Sequence, residues 1–196
     1  MSERDDVRAF VAIELPDNVK RGLGSVIDRL RQRSLAPVKW VSANGIHLTL
    51  KFLGEISAPR VEEVKRALAT VCLGTPPMHL EIAALGGFPD TAQPRVVWAG
   101  LSGDIEVLSG LATRVDFALA ELGYTRESRP FVPHLTIARV RPEASRQARS
   151  ELGTAVLAAT LPEGLSFDTG AVSLMRSQLR PQGALYTRLS QTSLNP

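Results

Sequence analysis

The chain has 196 residues, 44% of them hydrophobic and 22% charged, with a formal net charge of +3. That length suits one generous domain with a sizeable core, and the composition excludes a disordered chain. The charge is only mildly basic, which argues against a protein that coats long duplexes and tolerates an anionic ligand of a few phosphates.

The opening "MSERDDVRAF" carries both charge signs and no apolar run, so no secretory signal is expected. No later apolar run is long enough for a membrane span. "RAFVAIEL" (Arg8–Leu15) is β-rich and closed by Pro16, which predicts a strand. The next stretch sets Val19, Leu23, Val26, Ile27 and Leu30 on one helical stripe, weakened by Gly22 and Gly24. "VKWVS" and "HLTLKFLGEI" predict strands. Pro59 suits the first turn of a second helix whose Val61, Val64, Leu68 and Val71 recur at helical spacing. The single cysteine, Cys72, excludes an internal disulfide, fits a reducing cytoplasm, and reads as a small buried apolar residue near that helix's end.

"GTPP" ends this unit. "MHLEIAAL" and "RVVWAGL" predict strands joined by the turn-rich "GGFPDTAQP". A long helix is expected from Asp104 to Leu122, with Ile105, Leu108, Leu111, Ala112, Val115, Leu119 and Leu122 inward and Gly123 as its stop. The strand "FVPHLTIARV" and a helix over Pro142–Ala159 follow. Two closing strands, around "SFDTGAVSLMRSQ" and "ALYTRLSQT", flank the hairpin connection "LRPQG". Helices separated by strand pairs make the class α+β, in a single domain over 1–196. A related order of strand, helix, histidine strand and helix in each half makes a duplicated unit plausible.

The chain has three histidines, and two of them, His47 and His134, open the same word, His-Leu-Thr-aliphatic. With ordinary composition a given histidine precedes Leu-Thr about once in 150, so two of three by accident is on the order of one in ten thousand. On a strand, His47 and Thr49 share one face, and so do His134 and Thr136, while the aliphatic residues take the other. Lys51 joins the His47 face if the strand stays regular; a solvated strand-end lysine is the commoner outcome. His79 lacks the threonine and reads as structural.

Two imidazoles can serve as acid and base at neutral pH, and threonine hydroxyls can donate to phosphoryl oxygens as charge builds there. Around one cleft, this set suits attack on a phosphodiester. Other chemistries lack their signatures. No zinc-type ligand spacing occurs, so no metal or other cofactor is expected, and there is no phosphate-binding P-loop or nucleophile elbow. Trp40, Phe52, Trp98 and Phe131 are aromatic enough to stack on bases, but each sits where core packing is expected.

The paired motifs and their flanks resemble the 2H phosphoesterase superfamily, and within it the bacterial and archaeal RNA 2′,3′-cyclic phosphodiesterases, historically called 2′-5′ RNA ligases. The likeness runs through "RAFVAIELP", "VKWVSANGIHLTLKFLGE", "PRVVWAGL", "RPFVPHLTIAR" and "SQLRPQGALY", from Arg8 to Tyr186. It implies two pseudo-symmetric lobes, each an antiparallel sheet with helices on its outer face, and an active-site cleft between them. It also implies His47 as proton donor to the leaving oxygen and His134 as proton acceptor that activates water. Thr49 and Thr136 would hold the phosphate, and Arg129, in "RPFVPH", would face the substrate. The implied reaction opens a terminal RNA 2′,3′-cyclic phosphate to a 2′-phosphomonoester, with RNA ends or small nucleotides as partners of a cytoplasmic monomer. A 2′-5′ phosphodiesterase or ligase, another small cyclic nucleotide phosphodiesterase, or a non-catalytic RNA-end binding module stand as alternatives.

Overall fold

The computed structural model describes residues 6–180 and 183–195. The first half runs β1 (Val7–Glu14), α1 (Asp17–Arg33), β2 (Val38–Trp40), a 3-10 turn (Ala43–Gly45), β3 (His47–Ile56) and α2 (Ala58–Cys72). The rest runs β4 (Met78–Phe88), β5 (Val96–Gly103), α3 (Ile105–Glu121), β6 (His134–Val140), α4 (Arg146–Leu157), β7 (Ser166–Thr169), β8 (Ala171–Arg180) and β9 (Gly183–Ser193). No helix among these residues is long and apolar enough to cross a membrane.

The strands form one antiparallel sheet in the order β7-β4-β5-β6-β3-β1-β8-β9, with β2 paired to β6. Two four-stranded halves meet at β6 and β3; the half containing β3 and β1 borrows β8 and β9 from the second part of the chain, and β2 of the first part pairs with β6 of the other half. The terminal hairpin β8–β9 completes the half built on β1 and β3; the hairpin β4–β5 and β7 complete the half built on β6. The pseudo-symmetry therefore pairs β3 with β6 and β1 with β5, and the halves are continuous through a single registered pair, Leu48 and Leu135.

All four helices line one face. The α1 stripe expected from spacing, Val19, Leu23, Val26, Ile27 and Leu30, is the set that is buried. Burial contributes on the order of 1.5–3 kcal/mol for each such side chain. Gly22 lets α1 approach Leu165, whose side chain occupies the place of a Cβ. Cys72 is buried at the end of α2, and burial pushes its thiol pKa up. On the helix-free face a small separate cluster holds Phe10, Ala12 and Met175, with Tyr186 against it.

Three expectations need correction. β4 continues through Gly86–Phe88, where a turn was expected; the Trp98 indole lies where a Cβ of Gly86 would be, so this glycine seats its cross-strand neighbour. The helix expected from Pro142 begins at Arg146, because the Ser145 side chain caps it by accepting from the Ala148 amide. The single strand expected over Ser166–Gln178 is two, β7 and β8, broken at Gly170, where the chain leaves β4 for β1. The hairpin expected at "LRPQG" joins β8 to β9 through the pair Arg180 and Gly183, while Pro181 and Gln182 lie outside the described residues.

Candidate active site

β3 and β6 carry the same burial rhythm. Each begins with a half-buried histidine, a buried leucine and a half-buried threonine. Two consecutive buried residues follow, then one exposed residue. Consecutive burial breaks the alternation of a regular strand, and the registers show why. Pairing of β1 with β3 passes from Ala12 and Thr49 to Val11 and Lys51, leaving Leu50 as an extra residue. Pairing of β5 with β6 passes from Trp98 and Thr136 to Val97 and Ala138, leaving Ile137 extra. The residue after each threonine is thus a β-bulge, which bends the strand and exchanges its faces.

The bulge overturns the expectation for Lys51. Instead of joining the His47 face or reaching solvent, Lys51 is 2% exposed on the core side. Its Nζ donates to Asp116 Oδ1 on α3 at 2.5 Å and to the Thr125 carbonyl at 2.6 Å. Burial alone would raise the Asp116 pKa, but hydrogen bonds from Lys51 and the Glu127 amide hold it below its ordinary value. The same bulge places Phe52, expected in the core, on the histidine face, where it is 59% exposed and 6.0 Å from Phe10. Trp98 also lies on that face, across from Thr136 and 5.3 Å from Phe88. Trp40 and Phe131 pack against the core as expected.

The registered pair Leu48 and Leu135 brings the two motifs together. Antiparallel geometry sets His47 against Thr136 and Thr49 against His134, all four on the helix-free face. Strand spacings put the two histidine Cα atoms on the order of 8 Å apart, room for one phosphate between the imidazoles. Each imidazole is fixed in the same way. His47 Nδ1 lies 2.9 Å from the Gly45 carbonyl and His134 Nδ1 lies 2.7 Å from the Val132 carbonyl, two residues upstream in both cases. A carbonyl only accepts, so Nδ1 donates and Nε2 is left for chemistry on both rings. Among the described residues neither threonine hydroxyl has a protein hydrogen-bond partner.

The surroundings of the two rings differ. His47 lies 4.6 Å from Phe10 and 4.9 Å from Tyr186, and Glu14 is its partner on β1. Glu14 accepts from Ser173 Oγ at 2.5 Å and from Arg188 Nε at 2.6 Å, and the Arg188 bond holds its carboxyl below the usual range. Burial lowers the His47 pKa, opposed by the Gly45 carbonyl and Glu14 and assisted by the charge of Arg139. His134 has Gly100 as its β5 partner and Phe88 at 5.1 Å, edge-on.

Arg129 is exposed in the segment leading to β6, without a protein hydrogen bond among the described residues. His79 stands apart from the motif pair, its Nδ1 2.7 Å from Asp168 Oδ1. Among the described residues no group of three or more His, Cys, Asp or Glu is placed to hold a metal ion. Two open hollows, one by Val7, Val61 and Arg176 and one by Glu55, Arg60 and Tyr124, include none of the motif residues. Sequence reasoning missed Phe10, Glu14 and Tyr186 around His47. Alternation along β1 puts Phe10, Ala12 and Glu14 on one face, but only the register shows that face to be beside His47.

A model of the LigT-like phosphoesterase family matches twice in succession, over residues 13–98 and 101–186, with one histidine motif in each match. An RNA 2′,3′-cyclic phosphodiesterase of Methanothermobacter thermautotrophicus is 32% identical over 92% of this chain and 95% of its own. One from Aquifex aeolicus is 30% identical over 92% of this chain and 94% of its own. Among solved structures, a Thermus thermophilus protein superposes with a TM-score of 0.78 at 28% identity, covering 95% of this chain and 97% of its own. E. coli LigT complexed with 3′-AMP superposes with a TM-score of 0.76 at 26% identity, covering 98% of this chain and all of its own.

Proposed function

The chain belongs to the LigT-like phosphoesterase family, and on that premise we propose that it hydrolyses the terminal 2′,3′-cyclic phosphate of RNA to a 2′-phosphomonoester. The relatives named RNA 2′,3′-cyclic phosphodiesterase and the 3′-AMP complex of E. coli LigT support a nucleotide substrate. The observation that carries the reading is the pair of identically anchored imidazoles flanking one registered leucine pair, each with a threonine hydroxyl beside it that has no hydrogen-bond partner among the described residues.

In this reaction water adds to phosphorus as the bond from phosphorus to the ribose 3′ oxygen breaks. His134 Nε2 takes the proton from water, and His47 Nε2 gives a proton to the departing 3′ oxygen. Thr49 and Thr136 donate to the non-bridging oxygens, whose charge grows in the transition state. Arg129 meets the substrate from the segment preceding β6. A proton donor must be charged when substrate is bound, whereas burial lowers the His47 pKa in the free protein. The bound phosphodiester supplies the negative charge that restores the imidazolium. The protein acts on RNA ends or small nucleotides as a cytoplasmic monomer.

The test is an end-labelled oligonucleotide carrying a 2′,3′-cyclic phosphate, with the product mapped. Turnover to a 2′-phosphate is the expected result. Binding without turnover, or a 3′-phosphate product, contradicts the reading.

A further inference from the structure

The carbonyls that anchor the two imidazoles belong to segments of different kinds. Gly45, which holds His47, ends the 3-10 turn Ala43–Gly45. That turn closes on its own backbone: the Gly45 amide donates to the Ser42 carbonyl at 2.8 Å and the Ile46 amide to the Ala43 carbonyl at 3.2 Å. Val132, which holds His134, lies in the irregular stretch between α3 and β6. Among the described residues no backbone–backbone hydrogen bond reaches 125–133.

The polar hold on that stretch comes from Lys51 and Asp116. Lys51 Nζ donates to the Thr125 carbonyl at 2.6 Å. Asp116 accepts from the Glu127 amide at 3.1 Å and from Arg126 Nε at 3.4 Å. The Arg126 guanidinium also lies 3.7 Å over the Phe117 ring of α3, and Phe131 packs against the core. Lys51 stands two residues after Thr49 on β3, so one buried amine joins the strand of the first motif to the segment that enters the second. A buried ion pair is a weak source of stability, because desolvation offsets its attraction and apolar residues of similar size often replace it without loss. The equivalent place on β6 is filled by packing alone: Ala138 is buried there without a charge. The ion pair thus serves the one histidine whose anchoring segment has no turn of its own, and its charge-assisted hydrogen bonds fix distance and direction where apolar contact does not.

We propose that Lys51 and Asp116 are positioning residues, a clamp on 125–133 that keeps the Val132 carbonyl on His134 Nδ1 and so leaves His134 Nε2 free to take the proton of water. With the clamp gone, the carbonyl drifts from the ring and the imidazole is free to carry its proton on Nε2, the tautomer that cannot act as base there. The use made of His134 rests on the proposed reaction; the anchoring of its ring does not.

The experiment uses the double variant Lys51→Met with Asp116→Leu, which removes the clamp and leaves neither member of the pair unpartnered. Nitrogen NMR of the neutral imidazoles reads the tautomers. His134 is expected to carry its proton on Nδ1 in the wild type and to lose that preference in the double variant, while His47, held by Gly45, keeps it. In the same variant kcat is expected to fall by about tenfold to a hundredfold on a ribose 2′,3′-cyclic phosphate and equally on a nitrophenyl phosphodiester, since the base and not the acid is disturbed. A His134 ring that keeps its Nδ1 proton in the double variant overturns the clamp. Wild-type kcat there, or rescue by the nitrophenolate leaving group, overturns its catalytic role. Should the double variant not fold, Glu127→Pro judged against Glu127→Ala removes only the amide that Asp116 holds; the same changes to a smaller degree are expected, and no difference between the two overturns the clamp. If the wild type hydrolyses neither substrate, the proposed reaction fails, and the His134 tautomer alone still decides the clamp.

Discussion

β3 and β6 perform the same backbone manoeuvre in different company. Both hold a histidine by a carbonyl two residues upstream, present a threonine beside it, and bulge at the next residue. After the bulge they diverge. The position that is Lys51 on β3 is Ala138 on β6, and the exposed position that is Phe52 on β3 is Arg139 on β6. The β1 partner of His47 is Glu14, and the β5 partner of His134 is Gly100. Repetition of the backbone supplies two equivalent imidazoles. In the proposed reaction, non-equivalence of their neighbours is what would let one donate a proton while the other accepts one.

The largest expected effect falls where the two strands differ most, at the buried Lys51 ion pair. Lys51→Met leaves Asp116 short of its main partner among buried groups and should cost about 3–5 kcal/mol of stability, measured by denaturant unfolding. Lys51→Met with Asp116→Leu should recover most of that loss, since no charge is then left unpaired. The Asp116 contribution has a defined sign. Its folded pKa is lowered, so the stability is present above the unfolded aspartate value near ~4 and is lost as pH falls through the lower folded value. Recovery absent in the double variant would show that Lys51 acts through packing alone.

The threonines test the likeness of the strands. Thr49→Val and Thr136→Val should each reduce kcat, by about 2–4 kcal/mol in transition-state stabilisation, with little loss of fold. A large effect at one and none at the other would mean that only one motif touches the phosphate.

Much of this arrangement is legible in the sequence. The α1 stripe, the ten-residue extent of β3, and the shared face of each His-Thr pair follow from spacing. The bulges are not legible, because an inserted residue leaves the apolar composition of a strand unchanged while exchanging every face beyond it. That is why Lys51 and Phe52 were expected on the opposite faces. The partner that stabilises a buried Lys51 is Asp116, 65 residues away on α3, beyond any local pattern. The break at Gly170 is hidden for a similar reason: β7 and β8 follow each other without a turn-rich segment between them, and their different partners, β4 and β1, separate them.

The smallest effect concerns how Glu14 and Arg139 bias His47. Arg139 lowers the His47 pKa and Glu14 raises it. With His47 as the acid, its limb of kcat/KM is the alkaline one, since rate falls as the donor loses its proton. Arg139→Gln should move that limb to higher pH and Glu14→Gln to lower pH, each by about half a unit or less. Movement in the same direction in both variants would contradict the electrostatic account.

Division of labour between the two histidines is tested most directly by varying the leaving group. A ribose alkoxide needs a proton as it departs, whereas nitrophenolate, a weak base, hardly does. His47→Ala should lose most activity on a ribose 2′,3′-cyclic phosphate and regain much of it on a phosphodiester with a nitrophenolate leaving group. His134→Ala should stay slow on both, because water still lacks its base. Rescue of His134→Ala but not of His47→Ala would exchange the roles, and equal loss on both substrates in both variants would contradict the assignment of His47 as the acid.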